Sequence, residues 1–319
     1  MRKLIIGLTG LLVVAALTPV AVILFNAPNT PPVMASAAAA SGQTAPDFPA
    51  PRQFRARDGA SLQYYAYPAG PAKVAILIHG SAGPATSMHI LAEALRAAGV
   101  TVYVPDIRGH GGSGRRGDID YIGQIDDDLA DFVAELGPAK SGETRTLLGF
   151  SAGAGFAIRF AGGPYGLLFD RYVLLSPTTL SEAPTLRPNA GGWVSVAVPR
   201  IITIALLGRV GIHWFDGLPV IRYAISPEMA RSMTGSYSYR LTTNFGAGRQ
   251  YRAYLQNIRR PAAVLVGDAD EQVIASQYAP LLQRLGVNIP VTVVPNMTHT
   301  DMIKNPEAIQ AIVAAVSAP

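Results

Sequence analysis

The chain has 319 residues, of which 49% are hydrophobic and 15% charged, so a disordered or fibrous protein is excluded and a substantial core is within reach. The formal charge of +5 includes Arg2 and Lys3 at the amino end, and no block of basic residues stands out elsewhere, so a nucleic-acid partner is not expected. Cysteine is absent, which removes disulfides, thiolate nucleophiles and cysteine-based metal sites together.

In chain order, Arg2 and Lys3 are followed by an uncharged, mostly apolar run from Leu4 to Phe25. About 20 such residues span a bilayer as a helix, whereas signal-peptide cores are shorter. Residues 1–25 are therefore expected to be a membrane anchor that leaves the rest exported, on the periplasmic or extracellular side. Cleavage near Ala35-Ser36-Ala37, giving a secreted protein, is the alternative. Residues 26–51, rich in Pro, Ala, Ser and Thr without periodicity, read as a linker.

Two strands joined at Asp58-Gly59 come next, a hairpin signal. Val74 to Ile78 reads as a buried strand, "SMHILAEALRAAG" as a helix stopped by Gly99, and "VTVYVPD" as another buried strand. The spacing predicts a helix over Ile119 to Leu136, a strand over Thr144 to Leu148, a helix over Ala152 to Phe160 and a strand over Tyr172 to Leu175. After a long interruption the rhythm resumes: strand "AAVLVGD", helix Ser276 to Leu285, strand "IPVTVVP" and helix Pro306 to Val316. Continuous apolar strands between amphipathic helices predict an α/β fold whose mostly parallel sheet is covered by helices on both faces. Residues 52–176 and 259–319 form that core, and 177–258, with the apolar stretch "GWVSVAVPRIITIALLG", is expected to be an inserted cap over the carboxyl edge of the sheet.

The segment "TRTLLGFSAGAGFAIRF" passes from strand to helix through G-x-S-x-G, with Ser151 between Gly149 and Gly153. That is the setting of a nucleophile elbow. A serine hydroxyl needs a base at neutral pH, and the chain has five histidines. His299 follows the last predicted strand, at the same edge as Ser151. His89 lies in a helix, His213 in the cap, and His79 and His110 beside glycine-rich turns that they are expected to shape. The base needs a carboxylate, and "VLVGDADEQV" offers Asp268, Asp270 and Glu271. Asp270 is preferred, with Asp268 also suited to a role within the turn. Two N–H donors for an oxyanion are expected at Ala152, directly after the nucleophile, and at Ser81 in "HGSAG".

The order Ser…Asp…His, together with "HGSAG", "PDIRGHGGSG" and "GFSAG" after successive strands, resembles the α/β-hydrolase family. The stretch Asp106 to Ser113, with one additional glycine, is similar to D-x-R-G-H-G-x-S of its monoacylglycerol lipase and lysophospholipase-like branch. In that branch the acid sits in G-x-x-D-x-x-V, matched by Gly267, Asp270 and Val273. The cap does not align with the family. The resemblance implies a serine hydrolase of carboxylic esters with a lipid-like substrate, of monoacylglycerol or lysophospholipid type. The same residues serve amidases, peptidases and acyltransferases, and a non-catalytic binding protein of this fold would lack a triad member.

Two further patterns point elsewhere. Gly109 to Gly114 fits G-x-G-x-x-G but neither occupies the first strand–helix turn nor opens into a helix, so no dinucleotide is expected. "DIDYIGQIDDDLADF" lacks the alternation of a calcium loop and reads as a solvated helix face. No cofactor or metal is expected. The expected partners are a small-molecule acyl ester and, through residues 1–25, a membrane.

Overall fold

The computed structural model describes residues 17–33, 47–178 and 183–318. Strands β1 (Arg52–Arg55) and β2 (Ser61–Tyr67) form an antiparallel hairpin around Asp58-Gly59. Then follow β3 (Lys73–Ile78), α1 (His89–Ala97), β4 (Thr101–Pro105), α2 (Gln124–Glu135), β5 (Thr144–Phe150), α3 (Ala152–Ala161) and β6 (Arg171–Leu175). An insert contributes β7 (Val194–Val196), α4 (Val198–Arg209), β8 (Pro219–Tyr223), β9 (Ser236–Ser238), α5 (Tyr239–Asn244) and α6 (Tyr251–Asn257). The chain closes with β10 (Ala262–Gly267), α7 (Tyr278–Arg284), β11 (Val291–Val294) and α8 (Pro306–Ser317).

The large sheet runs β1-β2-β4-β3-β5-β6-β10-β11. Pairing is antiparallel from β1 through β2 to β4 and parallel across the remainder. The two-residue period of the strands sorts their side chains into two cores. Ala75 and Leu77 of β3, with Val173 and Leu175 of β6, pack with Leu91, Leu95 and Ile312 of α1 and α8. Ile76, Ile78, Tyr172 and Leu174 face the other way, toward Phe132 of α2, Phe156 of α3 and Leu281 of α7. Each fully buried Leu or Ile contributes roughly 1.5–3 kcal/mol of transfer free energy. Burial on both faces explains why these strands read as continuous apolar runs. The fold is that of an α/β hydrolase.

The helix expected over Ile119 to Leu136 starts at Gln124, because Gly123 sits at φ +109° and Asn244 Oδ1 of the insert accepts the amides of Gly123 (2.8 Å) and Ile125 (3.1 Å). Its acidic face is not wholly solvated either. Asp126 and Asp128 are 7% and 6% exposed, and each takes an arginine. Arg108 donates from Nε and Nη2 to Asp128 at 2.8 and 2.7 Å, and Arg159 Nε lies 3.0 Å from both oxygens of Asp126. Burial pushes both carboxyls up despite the arginines.

The insert builds a three-stranded antiparallel sheet, β7-β8-β9, with a register irregularity between Pro219 and Ile221. Against it lies the end of the N-terminal segment, helical over 17–25. Ile23 is fully buried with Ile204 and Val220, and Arg200 Nε donates to the Ile23 carbonyl at 2.7 Å. This corrects the expectation of a membrane anchor exporting the remainder. Among the described residues no helix is long and apolar enough to cross a membrane, and Ile23 of the apolar run packs on protein while Leu24 and Phe25 stay exposed. Residues 1–16 of that run, and the Ala35-Ser36-Ala37 site, lie outside the described residues.

Candidate active site

β5 delivers the chain to Ser151 and α3 leaves from it. Ser151 has φ +55° and ψ −118°, a conformation that costs a non-glycine residue about 1–3 kcal/mol. Surrounding bonds hold it there. Its N–H donates to Leu175 O at 2.9 Å, and its carbonyl accepts from Ala154, Gly155 and Thr178 amides at 3.0, 3.0 and 3.2 Å. The glycines on either side are steric requirements: a Cβ on Gly149 would meet the Gly153 carbonyl, and one on Gly153 would meet the carbonyls of Ile78 and His79. Ser151 is 3% exposed and heads α3, where helix amide groups favour negative charge.

The turns after β10 and β11 bring Asp270 and His299 together. Asp270 Oδ2 lies 2.8 Å from His299 Nδ1, with the residues 1% and 2% exposed. Asp270 Oδ1 accepts the amides of Gln272 (2.8 Å) and Val273 (3.0 Å). Burial pulls this carboxyl upward, but the charge and hydrogen bond of His299 and the Gln272 amide outweigh it and hold it below its ordinary value. The other two carboxylates go elsewhere. Exposed Asp268 accepts the Asn296 amide at 2.6 Å, within the turn. Glu271 Oε2 accepts the backbone amide of His299 at 2.9 Å. The His299 imidazole lies against Phe150, ring centroids 4.9 Å apart, and its Nε2 is buried without a hydrogen-bond partner among the described residues.

Two cavities meet at Ser151. One, of about 220 Å³, is lined by Ser151, Ala152 and Ser81 and by apolar groups of the insert, including Ile201, Ile221 and Phe245. The other, of about 330 Å³, is lined by Ser151, His299 and Ser81 with Met233, Glu271 and Lys304. The amides of Ser81 and Ala152 have no acceptor among the described residues.

The remaining histidines lie apart from this pair. His89 Nδ1 is 3.1 Å from the Tyr67 hydroxyl, and His213 Nδ1 is 2.9 Å from Asp216. His79, the first residue after β3, and His110 are buried against each other, ring centroids 4.9 Å apart. Gly109 to Gly114 closes a turn, Gly109 N donating to Ser113 O at 2.8 Å, with α2 starting ten residues after its end, at Gln124. Sequence reasoning missed Trp193, whose Nε1 donates to Ser81 Oγ at 3.0 Å. Only the apolar character of its surroundings, "GGWVSVAV", marks that stretch.

A strand–serine–helix elbow at the carboxyl edge of a parallel sheet defines a hydrolase of the α/β-hydrolase type. The chain belongs to the family described as serine aminopeptidase, S33 (Hydrolase_4), matched over residues 69–305. It is similar to N-formylmaleamate deformylase of Pseudomonas putida, with 28% identity over 74% of this chain and 85% of the relative. It is also similar to a monoacylglycerol lipase of Mycolicibacterium smegmatis, 26% identical over 74% of this chain and 84% of the relative. The crystal structure of the Paleococcus ferrophilus monoacylglycerol lipase superposes with a TM-score of 0.60 at 21% identity, covering 80% of this chain and 98% of that one, a likeness of fold.

Proposed function

We propose that this hydrolase cleaves carboxylic esters through an acyl-enzyme on Ser151. The supporting observation is the buried Asp270–His299 pair, whose free Nε2 belongs to a group lining the same cavity as the strained Ser151. Ser151 Oγ attacks the acyl carbon while His299 Nε2 takes its proton, and the Ser81 and Ala152 amides hold the oxyanion. Collapse expels the alcohol with the proton from His299. Water then attacks the acyl carbon, gives its proton to His299, and releases the acid as Ser151 regains its hydrogen. Asp270 fixes the imidazole tautomer and stabilises the imidazolium.

In this reading residues 52–176 and 259–319 are the catalytic core and 177–258 its cap. The apolar lining of the smaller cavity favours an apolar acyl group, and a glycerol-type or other small alcohol suits the larger one, where Glu271 and Lys304 supply polar groups. A lipid-like ester of monoacylglycerol or lysophospholipid type fits both. Amide hydrolysis is the second reading, favoured by the relative named a deformylase. A series of p-nitrophenyl esters of increasing chain length, run beside the matching anilides, tests the choice. Ester turnover rising to a medium or long acyl chain is expected, and anilide turnover equal to or above it would contradict the ester assignment.

A further inference from the structure

The loop after β3 is held in a conformation its own sequence does not favour. Ala82 has φ +63°, where glycine is the usual residue. Three successive peptide planes are pinned, one by the neighbouring His79 side chain and two by residues far along the chain. His79 Nδ1 donates to the Gly80 carbonyl at 2.8 Å. The Ala82 amide donates to the Tyr237 hydroxyl at 2.7 Å, and the Ala82 carbonyl accepts the Thr234 amide at 2.8 Å. The first plane also carries the Ser81 N–H. Because the peptide is planar and trans, fixing the Gly80 oxygen on one side aims the Ser81 N–H to the other.

Two of these three anchors, His79 and Tyr237, belong to one ring of hydrogen bonds. The Ile107 carbonyl can only accept, so His110 Nδ1, 3.2 Å away, carries the proton and His110 Nε2 accepts from the Tyr237 hydroxyl. The Ile107 amide donates to His79 Nε2 at 3.1 Å, which leaves the His79 proton on Nδ1, facing Gly80. The sequence of donors therefore runs Ala82 to Tyr237, Tyr237 to His110, His110 to Ile107, Ile107 to His79 and His79 to Gly80. Every donor points the same way round, and each imidazole must be neutral. Burial lowers the proton affinity of both rings, which keeps them so. Tyr237 is the member that comes from β9 of the cap.

We propose that Tyr237 is a positioning residue, which through Ala82, His110 and His79 holds the Ser81 N–H in place for the oxyanion formed on Ser151. The proposal rests on the acyl-enzyme reading above. Aligned hydrogen bonds in a low-dielectric interior reinforce one another, so removing one member loosens the rest. The phenol makes the cap part of the machinery for acyl transfer, in addition to its part in enclosing the substrate.

Steady-state kinetics on a p-nitrophenyl ester test this with Tyr237→Phe, alongside the affinity of an alkyl boronic acid, whose tetrahedral adduct carries the oxyanion. Losing one oxyanion donor outright costs about a hundred- to a thousandfold in kcat, so misplacing one should cost about ten- to a hundredfold. KM should stay within about twofold, boronate affinity should fall in parallel with kcat, and the melting temperature should fall by about a few degrees, because the Ala82 amide and His110 Nε2 lose a buried partner. Since Tyr237 also lines the smaller cavity, a raised KM at unchanged kcat would assign it to substrate binding and overturn the positioning role. Unchanged kcat and boronate affinity would overturn it too. If Tyr237→Phe does not fold, 3-fluorotyrosine at position 237 keeps the shape and weakens the oxygen as an acceptor. A several-fold fall in kcat supports the proposal, and an unchanged kcat overturns it. A parent without Ser151-dependent turnover removes the acyl-enzyme reading and this one with it, whereas an active parent with an unaltered variant removes only this one.

Discussion

Asp268, Asp270 and Glu271 lie within four residues and have three different partners: the turn after β11, the His299 imidazole and the His299 backbone. Their amide variants should differ accordingly at fixed pH. Asp270→Asn keeps shape but removes the charge that stabilises protonated His299, and serine-protease precedent puts the loss in kcat at up to about ten-thousandfold. Asp268→Asn should leave turnover within a few-fold. Glu271→Gln should fall between them, because it weakens the bond that holds the His299 backbone. A crippled Asp268 variant beside an unimpaired Asp270 variant would reverse the assignment. From sequence, the acid was narrowed to these three by position after a strand, with Asp270 preferred. Which of them meets the imidazole depends on how two turns face each other, and only the folded chain displays that. The same limit hid Trp193 and Tyr237: their polar tips meet a loop more than a hundred residues away, which no local pattern encodes.

Elements were legible where their pattern is local. The β3, β5 and β6 runs are buried on both faces and announced themselves by composition, and the strand–serine–helix elbow by its glycines. The start of α2 was not legible, because Asn244 from the insert supplies its cap. Likewise the apolar run before Asn26 matched a membrane segment by length, yet its Ile23 packs on Ile204 and Val220. Hydropathy alone does not separate lipid from a protein partner. Ile23→Ala should therefore destabilise the chain by about 2 kcal/mol, the usual minimum for a fully buried isoleucine, and lower the melting temperature by several degrees. An unchanged melting curve would mean that the segment contributes nothing to the fold.

At the scale of the molecule, the alternation of strand and helix was sufficient for the α/β architecture, since parallel strands need covered crossovers. The interior of the 177–258 segment was not readable. Its strands are three to five residues long and pair antiparallel across gaps of more than ten residues, too short to show a period. This segment joins the rest of the chain through specific polar bonds, including Arg240 to Asp118 at 2.8 and 2.7 Å and Thr234 to Ala82. Residues from the large sheet's loops and from this segment line the two cavities that meet at Ser151. Intact-protein mass spectrometry after a fluorophosphonate probe, with ester turnover measured on the same samples, is the most direct test. A single adduct on Ser151 is expected, lost together with turnover in a Ser151→Ala variant that melts as the parent does. A folded parent that never labels, or a Ser151→Ala variant that keeps turnover within tenfold of the parent, would contradict the account.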